Sequence, residues 1–402
     1  MSVFCPFAVG YFLSFCYRNV NAVISKDLVT QFALSPAELG FLTSMYLFAF
    51  AAFQLPLGVL LDRYGPRRMV AALLCGATAG AVVFALARDL TMLAVARALI
   101  GLGVSAGLMG AIKAFSLWFP LARLATLNGL YLAVGGLGAL AATAPAETLV
   151  GALGWRGLFL LLALLSLVAA CAVFFVVPEK PLPGSGERLR DQVAQLGRIF
   201  TTRAFWRIAL PVMLVQGTYI ALQGLWLGPW LYDVAHLARH EVASYLLTTA
   251  LGYIGGSLFF GWAADRLAQR GVPRLTVFKS GLCIALAMLA LIAADVENSR
   301  RAILVLYAFA GTAGSLSYAL LTPLFPPAMT GRVTTACNML MFTASFALQW
   351  SIGLALKLYP VIDGGYASGG YTAAFTVITL LQLAALAWLV PMRPEFGERT
   401  RT

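Results

Sequence analysis

Gly58-Val59-Leu60-Leu61-Asp62-Arg63-Tyr64-Gly65-Pro66-Arg67-Arg68 is a short charged turn set between two long apolar runs, residues 38–61 and 69–87, and it decides how the rest of the chain reads. A helix crossing the roughly 30 Å hydrocarbon layer needs about 20 mainly apolar residues. Working outward from the turn, runs of that length recur at 5–25, 38–61, 69–87, 92–115, 125–148, 155–177, 206–231, 242–264, 275–294, 302–323, 333–357 and 371–391. Hydrocarbon offers backbone groups no partners, and these runs lack the alternation of barrel strands, so each is predicted to be a helix. The sequence predicts an all-α integral membrane protein with twelve transmembrane helices.

Composition agrees. Of the residues 61% are hydrophobic and 11% charged, whereas a soluble domain carries about 25% charged residues. The net charge of +12 is spread over connectors and forms no basic patch with interleaved aromatics, which argues against nucleic acid. Arg63, Arg67, Arg68, Arg188, Arg190, Arg198, Arg203, Arg266, Arg270, Arg399 and Arg401 all fall on even-numbered connectors or the C-terminal tail. By the positive-inside rule these segments and both termini are expected to be cytoplasmic, in a multi-pass protein of the cell inner membrane. The first span lacks a basic leader region and contains Arg18, so it reads as a retained helix. Cys5, Cys16, Cys75, Cys171, Cys283 and Cys337 lie in spans at spacings of neither a zinc site nor a disulfide framework, and read as small packing residues.

The longest polar connector follows span six and suggests three parts: an amino-terminal six-helix bundle at 1–177, a cytoplasmic linker at 178–205, and a carboxy-terminal six-helix bundle at 206–402. Internal repetition supports the division. Gly261-Trp262-Ala263-Ala264-Asp265-Arg266, with Gly271 and Arg274 beyond, repeats the opening turn after span eight, and Gly154-Trp155-Arg156 at span six parallels Gly370-Tyr371-Thr372 at span twelve.

Gly58, Leu60, Asp62, Arg63, Gly65, Arg67 and Arg68 match the loop signature of the major facilitator superfamily, which the chain resembles over nearly its whole length. Pro66 stands where a basic residue is common, and the second copy has three extra residues before Gly271. Arg97, Gly101, Gly103 and Gly107 in span four resemble the family's second motif. The resemblance implies two pseudo-symmetric six-helix bundles around a central cavity that opens alternately to either side. It also implies that Gly58, Asp62, Arg63, Gly65, Arg67, Arg68, Asp265 and Arg266 form a conformational latch.

Arg18 is the leading binding candidate, because an arginine on a membrane span costs a few kcal/mol and needs a partner or a wet cavity. Tyr11, Ser14, Arg18, Asn21 and Ser25 share one helical face, as do Gln216, Tyr219, Gln223, Trp226 and Trp230 in span seven. Both faces are expected to line the cavity, where Arg18 would grip an anion bidentately. The alternative is an arginine satisfied structurally by nearby carbonyls. Tyr17-Arg18-Asn19-Val20-Asn21 resembles the first helix of the family's organic-phosphate antiporters and organic-anion symporters, which implies an anionic substrate. Span seven offers Gln216 and Gln223 where the phosphate antiporters usually supply a second arginine, which leaves carboxylate and sulfonate open beside phosphate ester. Tyr318 in span ten and Asn338 and Gln349 in span eleven are further cavity candidates.

Glu147, after Pro145 at the end of span five, is the candidate for proton coupling, against a cap or a salt bridge to Arg156. Arg97 is read as ordering a helix interface with a share in coupling, and Lys113 as a cavity-mouth cation or a snorkelling lysine. No catalytic constellation is recognisable. His236 and His240 lack a third ligand, so neither metal nor cofactor is expected. The expected function is secondary transport of a small organic anion by a monomer, coupled to protons or an exchanged anion. Its rivals are export of hydrophobic neutral or cationic compounds and a non-transporting receptor on the same fold.

Overall fold

The computed structural model describes residues 2–179, 197–326, 329–362 and 365–392. The chain divides into two compact units, Met1–Leu189 and Arg190–Thr402. Most of the expected linker and the arginines Arg188, Arg190, Arg399 and Arg401 lie outside the described residues.

The amino-terminal unit contains α1 (Phe4–Asn19), α2 (Asn21–Phe32), α3 (Pro36–Leu86), α4 (Leu90–Val104), α5 (Gly107–Trp118), α6 (Leu121–Ala141) and α7 (Ala144–Val176). Local chemistry sets several boundaries. Ser35 caps α3 by accepting from Glu38 N while Glu38 Oε2 accepts from Ser35 N at 2.8 Å, with Pro36 opening the helix. Asp89 caps α4 through Met92 N at 2.8 Å. The charged turn breaks α3 in two at Gly65, whose φ of 78° and ψ of 158° favour glycine, and Pro66 starts the second segment.

The carboxy-terminal unit contains α8 (Arg203–Ala221), a π-helical segment (Leu222–Trp226), α9 (Leu227–Asp233), α10 (Arg239–Ala268), α11 (Arg274–Ala293), α12 (Arg300–Gly311), α13 (Ser317–Leu321), α14 (Thr330–Lys357) and α15 (Ser368–Leu389). A two-stranded antiparallel hairpin, Val361–Ile362 with Gly365–Tyr366, joins α14 to α15. The sequence repeat reappears as repeated packing. Within one unit α1 packs on α6, α3 on α4 and α3 on α7; within the other α8 packs on α14, α10 on α12 and α11 on α15. Gly271, in the second copy of the turn, also has positive φ, 82°.

Among the described residues, ten helical stretches are long and apolar enough to cross a bilayer. Two expected spans read differently. The first is split at Val20 into helices of 16 and 12 residues. The fifth ends at Ala141, with only Leu127–Ala141 as its apolar helix. Outward faces are apolar, with Phe175 76% and Leu258 72% exposed, the pattern of a lipid-facing surface. Four of the six cysteines, Cys5, Cys75, Cys171 and Cys283, lie on such exposed positions and do not pack inside as their apolar character suggested.

Candidate functional site

In the amino-terminal unit the first span is held by α3, α4, α6 and α7. Val20 N donates to Cys16 O at 3.0 Å, and the next carbonyl, Tyr17 O, accepts from Arg97 Nη1 at 2.8 Å. Arg97, 1% exposed, lies over the Tyr46 ring at 5.0 Å, and Tyr46 Oη donates to Ser14 O at 3.1 Å. Ser14, Arg18 and Arg97 therefore belong to one neighbourhood, built from α1, α3 and α4. Tyr17 reaches Ser166 on α7, with 3.0 Å between their hydroxyls. The Arg18 guanidinium carbon lies 4.5 Å from the Phe15 ring centre and 5.6 Å from that of Phe50.

Asn21 opens α2, and its Nδ2 donates to Thr43 Oγ1 at 3.0 Å while its buried Oδ1 has no hydrogen-bond partner among the described residues. Tyr11 stacks on Tyr131 at 4.4 Å, and Ser25 donates to Ala22 O. Glu147 occupies the first turn of α7, beyond a break at Thr143, and not the end of the preceding helix. Pro145 near the helix start accounts for this, and the helix N-terminus favours a carboxylate there. Arg156 donates to Gln31 Oε1 at 2.8 Å and to Ala87 O at 2.9 Å. Lys113 is half-buried on α5.

The carboxy-terminal unit groups its candidates around the π-helical segment, a feature frequent at functional sites. Gln223 and Trp226 lie in it, both buried. Trp226 Nε1 donates to Gln349 O at 2.7 Å, and Gln349 Nε2 donates to Ala221 O at 3.3 Å. Gln223 Nε2 donates to Leu246 O at 3.1 Å. Among the described residues the buried amide oxygens of Gln223 and Gln349 and the Tyr307 hydroxyl have no hydrogen-bond partner. Tyr318 Oη donates to Asn338 Oδ1 at 2.5 Å. Tyr219 stacks on Tyr253 at 4.5 Å, and Gln216 packs beside Gly314.

Sequence reasoning passed over Asp233, whose Oδ2 accepts from Tyr371 Oη at 2.9 Å and Tyr366 N at 3.1 Å, tying the hairpin to α9 and α15. A carboxylate closing an apolar span was its available signal. Burial, and then the Asp233 charge, push the Tyr366 phenol well above its usual range.

The two copies of the charged turn differ. Arg67 Nε donates to Phe174 O at 2.7 Å, and Glu179 pairs with Arg68 at 2.6 Å and Arg67 at 3.4 Å. The side chain of Asp62 lies outside the described residues. In the second copy Arg274 pairs with Asp265 at 2.9 Å, so the three extra residues do not separate them, and Arg266 reaches Gln269.

A family model, Major Facilitator Superfamily, matches residues 7–349. Similar proteins include a hexuronate transporter of Escherichia coli (strain K12), 27% identical over 95% of this chain and 91% of that protein. A probable sulfoacetate transporter of Cupriavidus necator is 22% identical over 90% of this chain and 82% of its own length. A probable nitrate/nitrite antiporter of Thermus thermophilus is 28% identical over 66% of this chain, a match spanning 61% of that antiporter. Among solved structures, the nucleoside transporter NupG superposes with a TM-score of 0.78 at 12% identity, covering 97% of this chain and 100% of that one. A bacterial homolog of the human lysosomal transporter Spinster gives 0.74 at 18% identity, covering 98% and 95%. These two likenesses are of fold.

Proposed function

The chain belongs to the major facilitator superfamily, and we propose that it is a secondary transporter of a small organic anion, with Arg18 as the residue that holds the anionic group. The single observation behind the reading is the setting of that arginine. Its guanidinium lies over Phe15 and Phe50 on an apolar helix. Stacking engages the flat face of a guanidinium, whereas carboxylate, sulfonate and phosphate bind its in-plane N–H edge. A guanidinium already held against aromatic rings is partly ordered before ligand arrives, which lowers the ordering cost of binding. Similar proteins named for hexuronate, sulfoacetate and nitrate share an anionic substrate, which supports the same class here.

On this reading twelve helices span the inner membrane with both termini cytoplasmic, and a monomer alternates between two access states. The two turn signatures latch the cytoplasmic side, and Glu147 is the carboxylate through which a proton gradient would act. The binding test uses purified protein screened with carboxylates, sulfonates, phosphate esters, sugars and cationic drugs for a rise in unfolding temperature. A carboxylate or sulfonate should stabilise the protein, and Arg18→Ala should weaken its binding by about tenfold or more, since a hydrogen bond to a charged group contributes about 1.5–3 kcal/mol. Arg18→Lys should fall between. Undiminished anion binding and uptake by a folded Arg18→Ala protein would overturn the assignment.

A further inference from the structure

A cavity of about 430 Å³ opens beside the charged turn, wholly within the amino-terminal unit, lined by Arg63, Tyr64, Arg67, Arg68, Trp118 and Glu179 among others. Three arginines and one carboxylate line it. Glu179 engages Arg68 at 2.6 Å and Arg67 at 3.4 Å, while Arg63 lies 5.3 Å over its neighbour Tyr64 and forms no ion pair among the described residues. The second segment of α3 begins at the same place, after Gly65, so the positive end of its helix dipole adds to the potential there. Glu179 already behaves as the anion such a setting attracts.

Beyond the transport reading, we propose that this cavity binds the phosphate headgroup of an anionic membrane phospholipid. What selects lipid over free phosphate is the apolar strip leading into the cavity. Phe174, Phe175 and Val176 at the end of α7 are 42%, 76% and 52% exposed, and they immediately precede Val177 of the cavity wall in the chain. The Arg67 guanidinium lies 5.1 Å over the Phe174 ring, so one residue touches both the cationic cavity and the apolar strip. Trp118 completes the aromatic rim typical of a headgroup-level site. Clustered arginines at the end of a membrane helix suit anionic headgroups, each basic residue contributing about 1 kcal/mol near such a surface. Glu179 would compete with the lipid phosphate for Arg68, which fixes the sign of its substitution.

The test is native mass spectrometry of the purified full-length protein released from nanodiscs containing phosphatidylglycerol and phosphatidylcholine. Wild type should retain phosphatidylglycerol selectively. The double variant Arg63→Gln/Arg68→Gln should lose it by about tenfold or more, and Arg63→Lys/Arg68→Lys should retain most of it. Glu179→Gln, which keeps every arginine, should increase retention. Equal retention by a folded Arg63→Gln/Arg68→Gln protein overturns the proposal, and where that variant fails to fold, decreased or unchanged retention by Glu179→Gln does so. In a separate arm, inorganic phosphate should neither displace the lipid nor raise the unfolding temperature; if it does both, the site is one for free phosphate and the lipid proposal fails.

Discussion

Gly101→Ala probes the seam on which the Arg97 neighbourhood rests. A methyl group at this position would lie 2.8 Å from the Cα and the carbonyl carbon of Tyr46, and closer still to the Tyr46 carbonyl oxygen. Comfortable carbon contacts begin at about 3.5 Å, so α4 and the first segment of α3 must separate by at least roughly 0.7 Å. Backbone, not the end of a flexible side chain, is in the way, so no rotamer change relieves the clash. Overpacking of this kind costs about 1–3 kcal/mol. Gly101 sits one turn from Arg97 on the same helical face, so moving α4 off α3 also draws the Arg97 guanidinium from the Tyr46 ring, 5.0 Å away. Weakening that cation–π contact adds about 0.5–2 kcal/mol, and the total loss of stability should be about 1.5–5 kcal/mol. Gly129→Ala is the control, because an added methyl there meets nothing within 4 Å and alanine in a helix is favoured by about 0.5–1 kcal/mol. Unfolding in mixed micelles, followed by tryptophan fluorescence, measures both. A Gly101→Ala protein within about 0.5 kcal/mol of wild type, or a Gly129→Ala protein equally damaged, would refute the close-approach reasoning.

Asp265→Asn should leave unfolding within about 1 kcal/mol of wild type, because the pair with Arg274 is 71% and 49% exposed and solvent screens it. Proteoliposome uptake should nevertheless slow if the pair latches a transport state; a stability loss above about 2 kcal/mol would make it a structural bond instead. Tyr366 links stability to alkaline pH. Its phenol stays protonated in the folded protein while the unfolded chain ionises above about pH 10, so stability falls as pH rises through that value. Tyr366→Phe keeps the ring beside Trp226, 6.2 Å away, and removes a buried hydroxyl that has no hydrogen-bond partner among the described residues. It should therefore cost nothing at neutral pH and flatten the alkaline limb of the unfolding midpoint, and an unchanged limb would contradict the assignment.

Features carried by backbone chemistry were legible in the sequence. The Gly65-Pro66 pair marks a helix stop and restart, and the structure breaks α3 there. The split at Val20 was not legible, since its φ of −60° and ψ of −27° are close to helical and no glycine or proline marks it. The cause is tertiary, an arginine from 80 residues away bonding Tyr17 O. Glu147 was misplaced onto the fifth span although Pro145 carried the signal of a helix start. The π-helical segment at Leu222–Trp226 has no compositional signature, because one extra residue per turn follows from packing rather than residue type. Hydropathy also treats Ser166 as incidental, yet it meets the Tyr17 hydroxyl across the unit.

Arg18 and Arg97 look alike to any hydropathy scale, and their surroundings separate them. Arg97 is enclosed, donates to the carbonyl end of α1 and lies over Tyr46, whose hydroxyl bonds the same helix one turn earlier. A cation at a helix C-terminus counters its partial negative charge, and two bonds to consecutive turns restrict both rotation and axial slip of α1. Arg18 projects from that restrained segment and rests on Phe15 of its own helix and Phe50 of α3. A long, rotamer-rich side chain loses less freedom on binding when its guanidinium already rests against aromatic rings. The grip proposed for Arg18 therefore depends on Arg97, which positions the backbone from which the anion-holding guanidinium extends.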